Sequence, residues 1–294
     1  GVSGSDSKGV DHPDDRERVG YGSSATAVYV EELSRDALFE AIRAGRAYIR
    51  LRGVNNSPEL EFTATAGDDT VIFGGSLNSA RARLRTVVEQ VNAQQPDLTV
   101  ITGDFITRRS HYVADEMVAV LRDLRAADGV LAVPGNHDYW NDQIGNVRRI
   151  MQRSGIIDLS NRVHSLTRDD AQLHIGGVDD VVYRQARLDL VLADLPANGA
   201  AILLAHEPDF ADVSAPTGRF DLQLSGHTHG GQIRLPLLGS VITPTHGTRY
   251  LRGLIDIDGM WLYTNVGIGT VSFNMRFNCR PEITVFTLCA PAAH

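Results

Sequence analysis

The sequence predicts an α/β protein of 294 residues, on three observations. From residue 78 onward, apolar residues at helical spacing alternate with short, wholly apolar runs, the pattern of helices flanking buried strands. Four of those runs end in polar clusters, three of which include glycine: Gly103-Asp104, Gly135-Asn136-His137-Asp138, His206-Glu207 and Gly226-His227-Thr228-His229. The last third is β-rich, and Asp258-Gly259 between two apolar runs is a hairpin signal.

Taken in order, residues 1–22 are rich in Gly, Ser and Asp and read as a loop. A strand is expected over 25–30, then a helix capped by Ser34 that runs through 44 and stops at Gly45, then extended chain at 47–51. Alternation over 59–65 and the run 71–73 add two β candidates, and Gly74-Gly75 reads as a turn. These features make residues 1–76 a small α/β segment, with a boundary near Ser76. Beyond it, Leu84, Val87, Val88 and Val91 mark a helix, and 98–101 a strand. Helix 113–126, strand 130–133 and helix 144–151 follow. Strands are then expected at 163–166, 173–175, 201–204 and 222–224, with a helix around 188–192. The hairpin pairs 254–257 with 260–263, and 282–288 reads as a closing strand.

With 43% hydrophobic residues the chain can bury a substantial core. A net charge of -8, with no long basic run, argues against nucleic acid as a partner, because phosphate-backbone binding rests on Lys and Arg clusters. No run approaches the roughly 18 apolar residues of a membrane helix, and the polar start lacks a signal-peptide core. The expected location is therefore cytoplasmic by default. The opening Gly is compatible with a processed form or the tail of a longer reading frame. Cys279 and Cys289 are too few for a disulfide scaffold or a thiolate metal site, though a link between them is open.

The strand-end clusters carry the chemistry. Strands of an open α/β sheet deliver their carboxyl ends to one crevice, so residues more than a hundred positions apart can share a site. A carboxylate (Asp104), an amide (Asn136) and the imidazoles of His206, His227 and His229, with no thiolate, suit divalent Mn, Fe, Zn, Co or Ni. Asp104 can bridge two such ions, which would polarise a phosphoryl group and supply a metal-bound hydroxide as nucleophile. His137 is the candidate general acid or charge stabiliser, and Asp138 the residue expected to fix its tautomer.

In order and spacing these clusters resemble the motifs of calcineurin-like metallophosphoesterases. Residues 226–233 (GHTHGGQI), 176–180 (GGVDD) and 276–288 (RFNCRPEITVFTL) resemble a bacterial branch of that family often tied to membranes or export. The resemblance covers about residue 79 to the C-terminus. It implies a two-sheet β-sandwich flanked by helices over residues 77–294. Asp104 would bridge, Asn136, His206 and His227 would hold one metal, and His229 would help to hold the other. It further implies a phosphomonoester or phosphodiester substrate, including lipid-linked ones, and a membrane-peripheral location.

One departure stands out. The resembled family opens on a strand ending in Asp-x-His, whereas the helix here follows 71–77 (VIFGGSL), which has neither residue. Asp68 and Asp69 precede that segment and do not end it. One tight and one weak metal are therefore expected, with a catalytically impaired metal-binding protein or a fusion fragment as the alternative. Residues 4–7, 20–30, 33–46 and 58–62 resemble the C-terminal part of a polymerase-and-histidinol-phosphatase type metallohydrolase, with Lys8 where that family's motif has His. The reading is a junction of two hydrolases, the second without its first strand.

Other candidates have plainer readings. His12, His111, His164, His174 and His294 read as structural or exposed, His246 as a solvated loop residue and Asp6 as a turn former. Tyr139 and Trp140 form either a substrate wall or packing for the Asn136 loop.

Overall fold

The computed structural model describes residues 84–106, 114–168, 171–235, 239–240, 243–271 and 276–289 with their side chains, and before them only backbone elements. The chain divides into two compact units, Gly1–Ala82 with Ser272–Asn274, and Arg83–Val271 with Met275–His294.

In the first unit, β1 (Val2–Ser3), β2 (Ser24–Val28) and β3 (Ala47–Leu51) make an antiparallel sheet in that order. β4 (Thr63–Ala66) and β5 (Asp69–Ile72) pair as an antiparallel hairpin. β1 corrects the expectation of an unbroken loop over 1–22: Val2 and Ser3 pair with Thr26 and Ala25 of β2, a long-range pairing that loop-like composition does not reveal. The helix expected over 34–44, the Gly74-Gly75 turn, Asp6, Lys8, His12, Asp68, His111 and His294 lie outside the described residues.

Helix α1 (Ser79–Ala93) leads into the second unit, where strands form two main sheets. β6 (Thr99–Ile101), β7 (Val130–Ala132) and β8 (Ile157–Asp158) are parallel, in that order. The larger sheet has six strands: β9 (Arg162–Arg168), β10 (Ala171–Gly177), β11 (Ala200–Leu204), β12 (Leu222–Ser225), β15 (Gly253–Ile257) and β16 (Met260–Thr264). Its order is β15-β16-β12-β11-β10-β9, with β10, β11, β12 and β16 parallel. Two-residue strands β13 (Arg234–Leu235) and β14 (Gly239–Ser240) make a separate ribbon.

The alternation of side chains along β7 and β11 explains why both read as unbroken apolar runs. Leu131 and Val133 face Ile175, Ile202, Leu204 and Leu224 in the layer between the two sheets. Val130 and Ala132 face the other way, onto Met117, Val118 and Leu121 of α2 (Ala114–Leu121) and Val147, Ile150 and Met151 of α3 (Ile144–Arg153). On the larger sheet, Ala201 and Leu203 pack outward on Val191 and Leu195, at and just beyond α4 (Leu188–Asp194), and on Ala211 of α5 (Ala211–Ser214). The second unit is thus a two-sheet sandwich flanked by helices, with largely apolar layer boundaries and a buried Ser214–Gln223 hydrogen bond between α5 and β12.

Two sequence expectations change. The helix expected to 126 ends at Leu121, because the chain tightens into turns there. Asn92 then brackets the exit, donating to the Asp123 carbonyl at 2.8 Å and accepting from Arg125 N at 2.8 Å. The strand expected over 282–288 forms no ladder among the described residues. Its polar side chains are engaged instead: Glu282 and Thr284 bond the Tyr263 hydroxyl and Asn265, while Ile283, Val285, Phe286 and Leu288 are exposed. β-propensity selects extended chain, but a ladder also needs a free edge in register.

Leu131 is wholly buried between the sheets, so Leu131→Ala is expected to cost about 2–5 kcal/mol of stability. Urea unfolding checks this; a loss below about 1 kcal/mol would mean that the two sheets do not close on each other here.

Candidate metal centre

The parallel strands of both sheets end at polar side chains. β6 runs out through Thr102 to Asp104, β7 to Asn136, β11 to His206 and β12 to His227. Two glycines allow the exits to meet. Gly103 sits at φ +97°, and a Cβ on it would fall 2.6 Å from His206 Nδ1. A Cβ on Gly135 would fall 2.4 Å from Asp104 Oδ1. Neither position has room for a side chain.

Four of the expected ligands are brought together. Asp104 Oδ2 stands 3.3 Å from His206 Nε2, and Asp104 Oδ1 accepts from His137 N at 2.9 Å. His227 Nδ1 lies 3.0 Å from Asn136 Oδ1, and the His206 and His227 rings meet edge to face at 4.9 Å. His229 is close enough to feel the Asp104 charge, while its own Nδ1 lies 3.4 Å from the Arg276 guanidinium. Asp104, His227 and His229 all hold positive φ (57°, 67° and 51°), a region that costs a non-glycine residue of order 1–3 kcal/mol and persists where surroundings enforce it.

The residues fit a divalent cation on two counts. His206 Nδ1 faces the Thr102 carbonyl and donates to it, which leaves Nε2 as a ligand atom; that atom is buried and makes no hydrogen bond. His227 Nε2 donates to the Thr245 carbonyl at 2.7 Å, so Nδ1 keeps its lone pair and faces the Asn136 oxygen, a second acceptor. Facing acceptors are reconciled by a cation between them or by turning the amide.

Charge states follow from burial and neighbours. Burial pushes the Asp104 carboxyl up, but His206 and His137 outweigh it and hold it well below the usual range. Burial works to lower His206, and the charges of Asp104 and Glu207 reverse this, holding it well above a free imidazole. Without a cation, a proton on His206 Nε2 offsets the Asp104 charge; a cation held there would replace that proton and use the Nε2 lone pair. Burial lowers His227 to about 3 and His229 to about 4, so both are neutral and lone-pair bearing near pH 7.

Asp138 requires a correction. Its oxygens accept from Ile106 N at 3.1 Å and Gly135 N at 2.9 Å, and do not reach the His137 ring, whose Nδ1 is buried without a partner. Two strand-exit amides nearer in space outcompete the imidazole, so Asp138 ties backbone to backbone. Burial and the Asp104 charge push it up to about 7.

Three residues given no role in the sequence belong to the site's frame. Glu207 is fully buried, its Oε1 unpaired, and its ligand atoms lie within 4.8 Å of those of His206 and His227. Burial, opposed by His206, pushes it up to about 8. An acid directly after a strand-end His was the available signal. Arg276 donates to the carbonyls of His229, Val266 and Gly269, and the Cys279 thiol also faces the His229 carbonyl. Both cysteines are free, Cys279 buried and Cys289 exposed, so the link left open in the sequence is absent. His174 is structural, held by Ser165 Oγ and the Asn198 carbonyl, and His246 is exposed.

A two-sheet sandwich with a carboxylate, an amide and imidazoles at converging strand ends defines a metallophosphoesterase. The calcineurin-like phosphoesterase family model matches residues 77–231, and the chain belongs to that family. It is 37% identical over 207 residues to the uncharacterized metallophosphoesterase YkuE of Bacillus subtilis, covering 70% of this chain and 72% of that one. It is 31% identical over 197 residues to the phosphodiesterase YaeI of Escherichia coli, covering 66% and 71%. It is also 30% identical over 201 residues to the uncharacterized metallophosphoesterase YkoQ of Bacillus subtilis, covering 65% and 72%. No described helix is long and apolar enough to cross a membrane.

Arg276→Ala strips three loop carbonyls of a charged donor and is expected to cost about 1–3 kcal/mol, with Arg276→Lys intermediate. Thermal and urea unfolding check this; equal stability of all three proteins would mean that solvent replaces the guanidinium at no cost.

Proposed function

We propose that this protein hydrolyses a phosphomonoester or phosphodiester with divalent metal ions, and that Asp104, Asn136, His206 and His227 hold the tighter ion. The observation that carries this reading is the buried His206 Nε2, unbonded and facing Asp104 Oδ2, beside the acceptor pair of His227 and Asn136. Ions held there would polarise the phosphoryl oxygens and make water a better nucleophile. The name of YaeI, a phosphodiesterase, favours a diester. Lipid-linked esters and a membrane-peripheral location rest on the sequence resemblance alone.

In this proposal Asp104 supplies the negative charge that would gather the cations, Asn136 would meet them from the neighbouring strand β7, and His227 from β12 of the larger sheet. His137, fixed by its backbone N–H on Asp104, gives a proton to the ester oxygen as water attacks phosphorus and the P–O bond breaks. Asp138 acts on the reaction only by holding the two strand exits in place. Asp104 and His229 are the ligands that remain for a second ion. Because the chain has no Asp-x-His ahead of α1, an impaired metal-binding protein is the second reading, as is a junction near residue 76 between two hydrolase segments.

Three outcomes test this. His227→Ala should lower bound metal markedly by elemental analysis; unchanged content would remove His227 from the ligand set. His137→Ala should cut turnover about 10²–10⁴-fold with metal retained, and parallel loss of both would make it a ligand. Chelator-buffered Mn²⁺ titration should give one tight and one weak ion, with activity climbing as the weak site fills. Two equally tight ions would show that other residues complete the site.

A further inference from the structure

The segment after β10 leaves the sheet at the same end as the candidate ligands, since β10 and β11 run parallel. It is locked there by buried acids. Glu207 Oε2 accepts from Val181 N at 3.3 Å, and Asp180 Oδ1 accepts from Tyr183 N at 2.5 Å. The Asp180 carbonyl takes Gln185 N at 2.8 Å and Ala186 N at 3.1 Å, which closes the turn. The turn presents the ring of Tyr183.

That ring lies on Tyr139, with centroids 5.1 Å apart and planes 19° from parallel. Tyr139 follows His137 by two residues in the same 3₁₀ segment, on a different side of its axis. Its hydroxyl donates to Asp179 Oδ1 at 2.7 Å, and Asp179 Oδ2 accepts from Arg148 at 2.7 Å, which also meets Asp158. Tyr139 is therefore a fixed base. Tyr183 is the outer member, 39% exposed, with Tyr139 covering one face. Tyr183 thus keeps one flat face open, on the loop that Glu207 ties to the strand-end side of the sheet.

We propose that Tyr183, backed by Tyr139, is the platform for a planar aromatic ring carried on the phosphoester, so that this site prefers aryl esters to alkyl esters of equal bulk. The inference rests on the phosphoryl group lying at the metal centre beside His137. Stacking of this kind discriminates by about two- to tenfold, beyond what area burial gives. If the pair served only to pack the loop, truncating Tyr183 would lower stability without changing ligand preference.

The test is calorimetry of the Mn²⁺-loaded full chain with phenylphosphonate and cyclohexylphosphonate, which match in size but not in planarity. The wild type should bind the phenyl compound about three- to tenfold tighter. Tyr183→Leu should erase the difference, and Tyr183→Phe should keep it. Equal binding in the wild type, a preference surviving in Tyr183→Leu, or no binding of phenylphosphonate overturns the platform. Phenyl phosphate hydrolysis, measured in parallel, separates this from the reading it rests on. Turnover without ring preference sinks the platform alone; ring preference without turnover sinks the hydrolase reading and leaves the platform standing.

Discussion

The carboxylate of Asp138 accepts the backbone amides of Ile106 and Gly135, and the candidate site depends on that clasp. It joins the exit of β6 to the exit of β7 at the point where Asp104 and Asn136 leave their strands. The clasp works only because Gly103 and Gly135 have no Cβ, so that Asp104 and His206 occupy the space that side chains there would fill. A carboxyl group buried on two amide donors, one from each strand exit, is a rigid joint.

Rigidity of this kind holds groups that would otherwise separate or relax. Asp104, His227 and His229 sit at positive φ, and His206, His227 and Glu207 are all but excluded from water. Each is costly alone. The surrounding frame enforces them: the Thr102 and Thr245 carbonyls orient two imidazoles, and Arg276 with Cys279 grips the His229 carbonyl. The result is an arrangement of lone pairs aimed at a common space, the preorganisation that lets a cation bind without first paying for reorganisation.

Two features depart from what the sequence and its resemblance led one to expect. β5 ends at Ile72 with no Asp-x-His before α1, and the apolar residues of 282–288 pair with no strand among the described residues. The first bears on the second ion, for which Asp104 and His229 remain; the contacts that support the Asp104–His227 cluster come from β6, β7, β11, β12 and the loops that follow them.

Much was legible in the sequence because its causes are local or periodic. β7 and β11 announced themselves as apolar runs because both faces are buried, and the hairpin at Asp258-Gly259 because its turn demands those residues. Asp104, Asn136, His206 and His227 were legible as polar residues at strand ends, since parallel strands necessarily carry such residues to one crevice. What Asp138 touches was not, because its donors are decided by packing: it accepts from Ile106 N and Gly135 N, while the Nδ1 of the preceding His137 has no partner. The contacts of Arg276 with His229, 47 positions apart, and of Tyr183 with Tyr139, 44 apart, likewise belong to tertiary structure alone. Periodicity fixes which face of an element is buried; only the folded chain decides which side chains from distant elements meet, because that depends on the joint geometry of several loops at once.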